Sequence, residues 1–319
     1  MKSSSVEQKL RQEAGELLSS GKVEYIIGFE RGSSKFTTTP LITRDKGDAS
    51  RLVIDPFISV NLARFLTELK GRVGIVAKGC DSRSIVALIQ DKKVIRENLV
   101  ILGVPCSGII DLSKLERLTE RDREEIQSIT CNGEKASVDS GGRKVELPLN
   151  DVLSDSCLEC EFPTPQEYDI LLGEPRAGTP RAARGKIEEL EALSPEERWH
   201  FWEKEFSRCI RCYACRNSCP ACFCPRCFVE ESEPQWIAAL PRWQENLIFQ
   251  VIRSIHLAGR CVDCGACERA CPANIPLRSL VRKIYDVVDD LYHFKAGTDK
   301  GSTPLLAHYE STDPGDFIR

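Results

Sequence analysis

No stretch of this 319-residue sequence is apolar for long enough to span a bilayer, and no apolar segment follows Met1-Lys2-Ser3-Ser4. Neither a membrane span nor a secretory leader is expected, and a cytoplasmic location follows. Neither sign of charge dominates. The 44 lysines and arginines are interspersed with 48 acids for a net charge of -4, which argues against a nucleic-acid surface. Familiar catalytic templates are missing as well: there is no GxSxG, no HExxH and no phosphate loop. What the chain has in excess is cysteine, 16 in all. In a reducing compartment that number points to metal ligation rather than disulfides, and to a setting low in oxygen, where exposed thiolates survive.

Eight of these cysteines fall in two copies of one pattern, CIRCYACRNSCP from Cys209 to Pro220 and CVDCGACERACP from Cys261 to Pro272. Both read CxxCxxCxxxCP, the ligand spacing of a ferredoxin with two 4Fe-4S clusters, in which the fourth cysteine of each motif serves the other cluster. The spacing assigns Cys209, Cys212, Cys215 and Cys271 to one cluster, and Cys261, Cys264, Cys267 and Cys219 to a second. Zinc is the alternative, since paired CxxC hooks also make four-cysteine zinc sites, but zinc does not need two complete triplets each with a displaced CP. Cys215, Cys219 and Cys222 also spell the CxxxCxxC of radical S-adenosylmethionine enzymes. Two of the three already belong to the repeat, and no glycine-rich strand follows.

Residues 6 to 19 carry Val6, Leu10, Ala14 and Leu17 at helical spacing. Val23 to Phe29, Lys35 to Ile42 and Arg51 to Ile54 read as short strands, and Asn61 to Leu69 as a helix. A β-α-β unit follows, with strand Arg72 to Ala77, helix Ser82 to Gln90 and strand Asn98 to Leu102. After Cys131 the sequence turns polar and glycine-containing, with one further strand at Val145 to Leu149. The basic stretch EPRAGTPRAARGK (174 to 186) is a linker, with a boundary near Arg181. Beyond it, Ser194-Pro195-Glu196-Glu197 is a capping box that launches a helix toward Cys209. Between the two motifs Trp243, Leu247, Ile248, Val251, Ile252 and Ile255 recur at helical intervals, read as a cover over the clusters rather than a docking face. A last helix after Pro276 carries Leu277, Leu280, Val281, Ile284, Val288 and Leu291. Trp199 and Trp202 are read as core, and Asp81 and Arg83 as a solvated ion pair.

The expected fold is an α/β N-terminal domain with a partly parallel sheet (1–180), a mainly α-helical dicluster ferredoxin domain (181–295) and an extended tail (296–319). Long helices around the motifs resemble the α-helical ferredoxin of succinate dehydrogenase iron-sulfur subunits and heterodisulfide reductase small subunits.

Cys80 and Cys106 each follow one of two parallel strands, so they should share the sheet edge where ligands gather, and a loop bearing Cys157 and Cys160 would complete four ligands. GRVGIVAKGCDSRSIVALIQ, ENLVILGVPCSGIID and CLECEFPTPQEYDILLGE resemble, in that order, the core domain of beta subunits of coenzyme F-420-reducing hydrogenases and formate dehydrogenases. The matching residues are Lys78-Gly79-Cys80, Cys106-Ser107-Gly108, Cys157 with Cys160, and Tyr168-Asp169-Ile170 with Gly173-Glu174. The resemblance implies a third 4Fe-4S cluster at Cys80, Cys106, Cys157 and Cys160. Gly79 and Gly108 are candidate cofactor contacts, serving turns where backbone approaches a cluster closely. Family members also carry FAD and reduce a deazaflavin, using a glycine-rich N-terminal segment and a Lys-Tyr turn. Here Gly15 and Gly21 stand alone and the corresponding turn reads DPFISVNL, so FAD is held as an alternative.

Cys222, Cys224 and Cys227 remain, and they resemble the CPxCxC extension of anaerobic sulfite reductase subunits. With Cys131 they could hold a further metal; otherwise they shield the ferredoxin cluster. The expected function is iron-sulfur electron transfer within an anaerobic complex of hydrogenase, formate dehydrogenase or heterodisulfide reductase type. The alternative is an FAD-dependent subunit exchanging hydride with a deazaflavin or nicotinamide.

Overall fold

The structure is a computed structural model that describes residues 5–179 and 185–313. Helix α1 (Ser5–Ser19) buries Leu10, Ala14 and Leu17 beside strands β1 (Tyr25–Arg31) and β2 (Thr38–Thr43). Two short 3-10 turns follow, Lys46–Arg51 and Leu62–Glu68, capped by the side chains of Asp45 and Asn61. The first takes the place of part of the strand expected at Arg51 to Ile54, and the second that of the helix expected at Asn61 to Leu69. Next come strand β3 (Val73–Ala77), helix α2 (Gly79–Gln90), strand β4 (Leu99–Gly103) and helix α3 (Leu112–Thr119).

A second, antiparallel sheet follows: β5 (Ser128–Asn132), β6 (Lys135–Ser140) and β7 (Arg143–Pro148). The sequence suggested one strand here. Its glycines instead build two two-residue hairpin turns, Gly133-Glu134 and Gly141-Gly142, and all three glycines sit at positive φ. One face of this sheet buries Ile129, Ala136 and Val138. Two single-turn helices, α4 (Leu149–Val152) and α5 (Asp155–Leu158), then lead to β8 (Ile170–Leu171).

The main sheet has the order β2-β1-β3-β4-β8, parallel except for the antiparallel edge strand β2. Every residue of β3 is buried, as expected of a central parallel strand whose sequence is apolar without alternation. The expected α/β half with a partly parallel sheet is therefore present.

The second half is helical: α6 (Lys186–Ala192), α7 (Pro195–Ser207), α8 (Ala214–Asn217), α9 (Trp243–His256), α10 (Ala266–Arg269) and α11 (Leu277–Tyr292). The capping box starts α7 as the sequence suggests: Ser194 Oγ accepts from the Glu197 amide at 3.2 Å, and the Glu197 carboxylate accepts from the Ser194 amide at 2.9 Å. The boundary placed near Arg181 lies outside the described residues.

Helix α9 corrects the sequence reading. Its apolar stripe covers the cysteine motifs only in part: Trp243 and Leu247 pack on the core cluster that holds Cys215, but Ile248, Val251 and Ile255 are exposed, while Asn246, Gln250, Arg253 and Ser254 are buried with Phe249. Periodicity marks one face of a helix without saying which face points inward, and here a largely polar one does. The inward polar groups are put to use. Asn246 Nδ2 donates to the carbonyls of Phe206 (3.0 Å) and Cys209 (2.9 Å), and its Oδ1 accepts from Arg211 Nε at 3.0 Å. Trp199 also departs from its core assignment, being 52% exposed at the edge of Trp243.

Asp81 and Arg83 are neither solvated nor paired with each other. Asp81 forms a buried salt bridge with Lys78 at 2.7 Å and accepts from the amides of Lys78 and Leu62. Arg83 reaches into the helical half, donating to the carbonyls of Ala296 (2.7 Å from Nη2) and Val262 (3.1 Å). The segment from Ala296 is consequently no free tail as far as Ser302. Ala296 is buried, Gly297 packs on the Arg83 backbone, and Gln90 donates to the carbonyls of Asp299 and Ser302.

Candidate metal centres

Cys80 and Cys106 stand three residues beyond the ends of β3 and β4, and register pairing aligns those ends, Ala77 opposite Gly103. Cys157 lies on α5, and Cys160 two residues past its end. All four line one cavity of about 640 Å³, together with Gly79, Gly108 and, from the helical half, Cys264. The expected sheet-edge grouping is the one the structure brings together, with a fifth cysteine at its wall.

Backbone is crowded around these thiols. The Cys106 amide donates to the Pro163 carbonyl at 3.0 Å, and the Gly108 amide donates to Cys106 Sγ at 3.4 Å. Gly108 has φ +103°, and a Cβ there would meet Leu153 Cδ2 at 2.9 Å. A Cβ on Gly79 would lie 1.8 Å from the Phe162 carbonyl oxygen, which is backbone and cannot swing aside. Gly79→Ala should therefore cost about 1–3 kcal/mol, as overpacked sites do, and displace Cys80. Denaturant midpoints and iron content should both fall, and a variant with wild-type values for both would sink the assignment. Burial pushes the Cys80 thiol well up, Cys106 to about 11 and Cys160 to about 12. Thiols so placed are inert as free nucleophiles and ionise only against a compensating cation.

The two CxxCxxCxxxCP motifs repeat in three dimensions. Arg211 and Tyr213 of the first copy have φ +51° and +60°, and their counterparts Asp263 and Gly265 have +56° and +68°. Each left-handed pair twists the chain between successive cysteines, and a one-turn helix, α8 or α10, then carries the third. The amides of Cys219 and Cys271 close the turns on the carbonyls of Arg216 and Glu268. Burial pushes the Cys209 thiol up, and the neighbouring thiols that add to the effect are Cys215, Cys271 and Cys212. Around Cys261, also raised chiefly by burial, they are Cys264 and Cys219. The fourth cysteine of each copy thus lies among the triplet of the other. Further donors point at sulfur: the Asp263 amide to Cys261 Sγ at 3.3 Å and Gln250 Nε2 to Cys215 Sγ at 3.5 Å. A mononuclear zinc site draws its sulfurs to about 2.3 Å from one point. Among the described residues, no three His, Cys, Asp or Glu side chains converge in that way.

Cys222, Cys224 and Cys227 line a separate cavity of about 470 Å³ with Arg64, Arg216, Arg253 and Arg260. Cys131 is not among its lining residues. It lies exposed on β5, and no other thiol contributes to the rise that burial gives it. The structure does not bring it to the other three.

Sequence reasoning missed the buried charges. Asp263, one residue before Cys264, accepts from Arg278 Nε at 2.7 Å and Nη2 at 2.6 Å, and pairs with Arg282. Glu159, one residue before Cys160, accepts from Arg278 at 2.6 Å, and Arg282 also holds Asp286 at 3.0 Å. The available signal was Arg278, Arg282 and Asp286 at four-residue spacing on a helix whose neighbouring positions are apolar.

Residues 205–275 match the family described as 4Fe-4S dicluster domain, and residues 70–194 match the family described as the C terminus of the coenzyme F420 hydrogenase/dehydrogenase beta subunit. The chain is 23% identical over 353 aligned positions to the F420-dependent formate dehydrogenase subunit beta of Methanocaldococcus jannaschii, covering 91% of each protein. It is 22% identical over 354 positions to the F420-dependent formate dehydrogenase 1 subunit beta of Methanococcus maripaludis, covering 91% of this chain and 90% of that one. A solved chain from the F420-reducing [NiFe] hydrogenase complex of Methanosarcina barkeri overlaps 49% of this chain and 62% of its own, at 14% identity and a TM-score of 0.39. No helix of the described residues is long and apolar enough to cross a membrane.

Proposed function

We propose that this chain, which joins a domain of the coenzyme F420 hydrogenase/dehydrogenase beta-subunit family to a 4Fe-4S dicluster domain, relays low-potential electrons through three clusters in series. It works as a subunit of an anaerobic formate dehydrogenase, hydrogenase or heterodisulfide reductase type of complex. Residues 1–180 and 181–295 are its two working units. The carrying observation is the cavity wall shared by Cys80, Cys106, Cys157, Cys160 and Cys264, which sets the sheet-edge thiols directly against the second ferredoxin motif.

Bound 4Fe-4S clusters supply the chemistry, taking up and releasing one electron each. The residues present fit such groups. Four thiols line the sheet-edge cavity, and amide donors from Gly108 and Asp263 reach sulfur, as is favourable once the thiolate forms. Cys80, Cys106, Cys157 and Cys160 hold the first cluster, Cys261, Cys264, Cys267 and Cys219 the second, and Cys209, Cys212, Cys215 and Cys271 the third. Burial and hydrogen bonds to sulfur then adjust each potential.

Anaerobically prepared protein should contain about twelve irons per chain, four per cluster. The double substitution Cys157→Ser, Cys160→Ser should lower this to about eight while preserving the ferredoxin signals. A wild-type count near eight would remove the sheet-edge cluster, and one near sixteen would assign a further one to Cys222, Cys224 and Cys227.

The F420-dependence in the names of the two methanogen relatives supports a second reading, in which the N-terminal half also binds FAD and exchanges hydride with a deazaflavin. Stoichiometric flavin released on denaturation would favour it over a pure relay.

A further inference from the structure

Arg253 is 3% exposed on the inward face of α9, where a guanidinium, always protonated, is costly to bury without an anion. Its Nη2 donates to the Cys215 carbonyl at 3.2 Å. Its Nε and Nη1 are fully buried with no oxygen or nitrogen partner among the described residues, and the side chain it bonds is the Cys222 thiol. Of the other buried arginines of this half, Arg278 is matched by Asp263 and Glu159, Arg282 by Asp263 and Asp286, and Arg211 donates all round to Asn246 and to the carbonyls of Ala238 and Leu240. Arg253 faces sulfur instead. Burial acts to weaken its charge, and Cys267, Cys219, Cys222 and Cys215 oppose this and hold its pKa well above the ordinary arginine value. Cys215 belongs to one ferredoxin ligand set, and Cys219 and Cys267 to the other.

We infer that Arg253 is a shared cation that raises the reduction potentials of both ferredoxin clusters at once. The inference rests on the cluster reading above. Reduction by one electron from an external donor adds one negative charge to a thiolate-bound cluster and transfers no proton to or from the guanidinium. Arg253 therefore attracts the reduced form more strongly than the oxidised form, and its N–H groups without an oxygen or nitrogen partner gain acceptors there. Because ligands from both sets surround it, the two potentials move in the same direction. Gln250, one turn earlier and bonded to Cys215 Sγ, adds a neutral donor on one side only.

The test is a redox titration followed by electron paramagnetic resonance on the full chain, comparing wild type with Arg253→Gln and Arg253→Lys. In Arg253→Gln, both ferredoxin midpoints should fall by about tenfold in the one-electron equilibrium constant, about 59 mV each, with the sheet-edge centre unmoved. Arg253→Lys, which keeps the charge, should restore most of the shift. Unchanged midpoints at full iron content, a shift in one ferredoxin cluster alone, or an equal fall in Arg253→Lys would overturn the inference. If Arg253→Gln retains too little iron to titrate, Arg253→Lys must still load normally. A lysine variant as iron-poor as the glutamine one would mark a purely structural role. Absence of two ferredoxin signals from wild type would instead remove the cluster reading, and with it the premise.

Discussion

Chelating the iron from anaerobically prepared protein should abolish the folded structure of residues 185–313 while the α/β half keeps its core. The helical half has a thin apolar core of its own. Among the described residues, its core cluster contains five buried members, Phe206, Cys215, Phe249, Ile275 and Leu277, against the 26 that surround β1, β3 and β4. Its central helix α9 turns Asn246, Gln250 and Arg253 inward, so that collapse without metal would bury polar groups and a cation against empty space. Ligation must then supply the folding free energy, as it does in small metal-dependent domains. Far-ultraviolet circular dichroism should lose most of the helical signal, and hydrogen exchange should show α7, α9 and α11 unprotected but β3 still slow. An apo-protein with unchanged dichroism and thermal midpoint would sink this.

Replacing Asp263 with alanine should cost about 1.5–3 kcal/mol, the range for losing hydrogen bonds to charged groups. Burial alone would push the Asp263 carboxyl up. Arg278 and Arg282 outweigh it and hold the carboxyl below its ordinary range. Without that carboxylate, Arg278 keeps Glu159 and Arg282 keeps Asp286, so each guanidinium retains one carboxylate and the loss is that of the bonds Asp263 itself accepts. Asp263→Asn retains acceptor atoms and should cost less than the alanine variant. Urea denaturation of iron-loaded protein would measure both, and a loss below about 1 kcal/mol for alanine would show the network to be solvent-screened.

The gathering of Cys80 and Cys106 at one sheet edge was legible, because two parallel strands aligned in register end there together. The second sheet was not legible. Its strands alternate short polar residues such as Ser137 and Asp139 with only Ala136 and Val138 inward, and its glycines looked like a loop rather than two hairpin turns. Helix α9 was found, but Ile248, Val251 and Ile255 of its stripe face outward and only Trp243 and Leu247 pack on the cysteine-bearing core, since amphipathic spacing does not say which side of a helix is inside. Asp81 and Arg83 were misread because sequence proximity suggested one pair. In the first turn of α2 they diverge, Asp81 back to Lys78 and Arg83 across to Ala296.

Arg83 has a consequence for timing. Its guanidinium spans from the sheet edge behind Cys80 to the Val262 carbonyl, beside the second motif, and to Ala296 at the start of the segment that runs back over α2. Where redox centres ride on separately hinged domains, each turnover waits for a microsecond-to-millisecond swing to bring them within range. Here the two edges are bolted at a single separation. In the proposed relay between them, the pace of the hop would fall to driving force and spacing, with no conformational search in between.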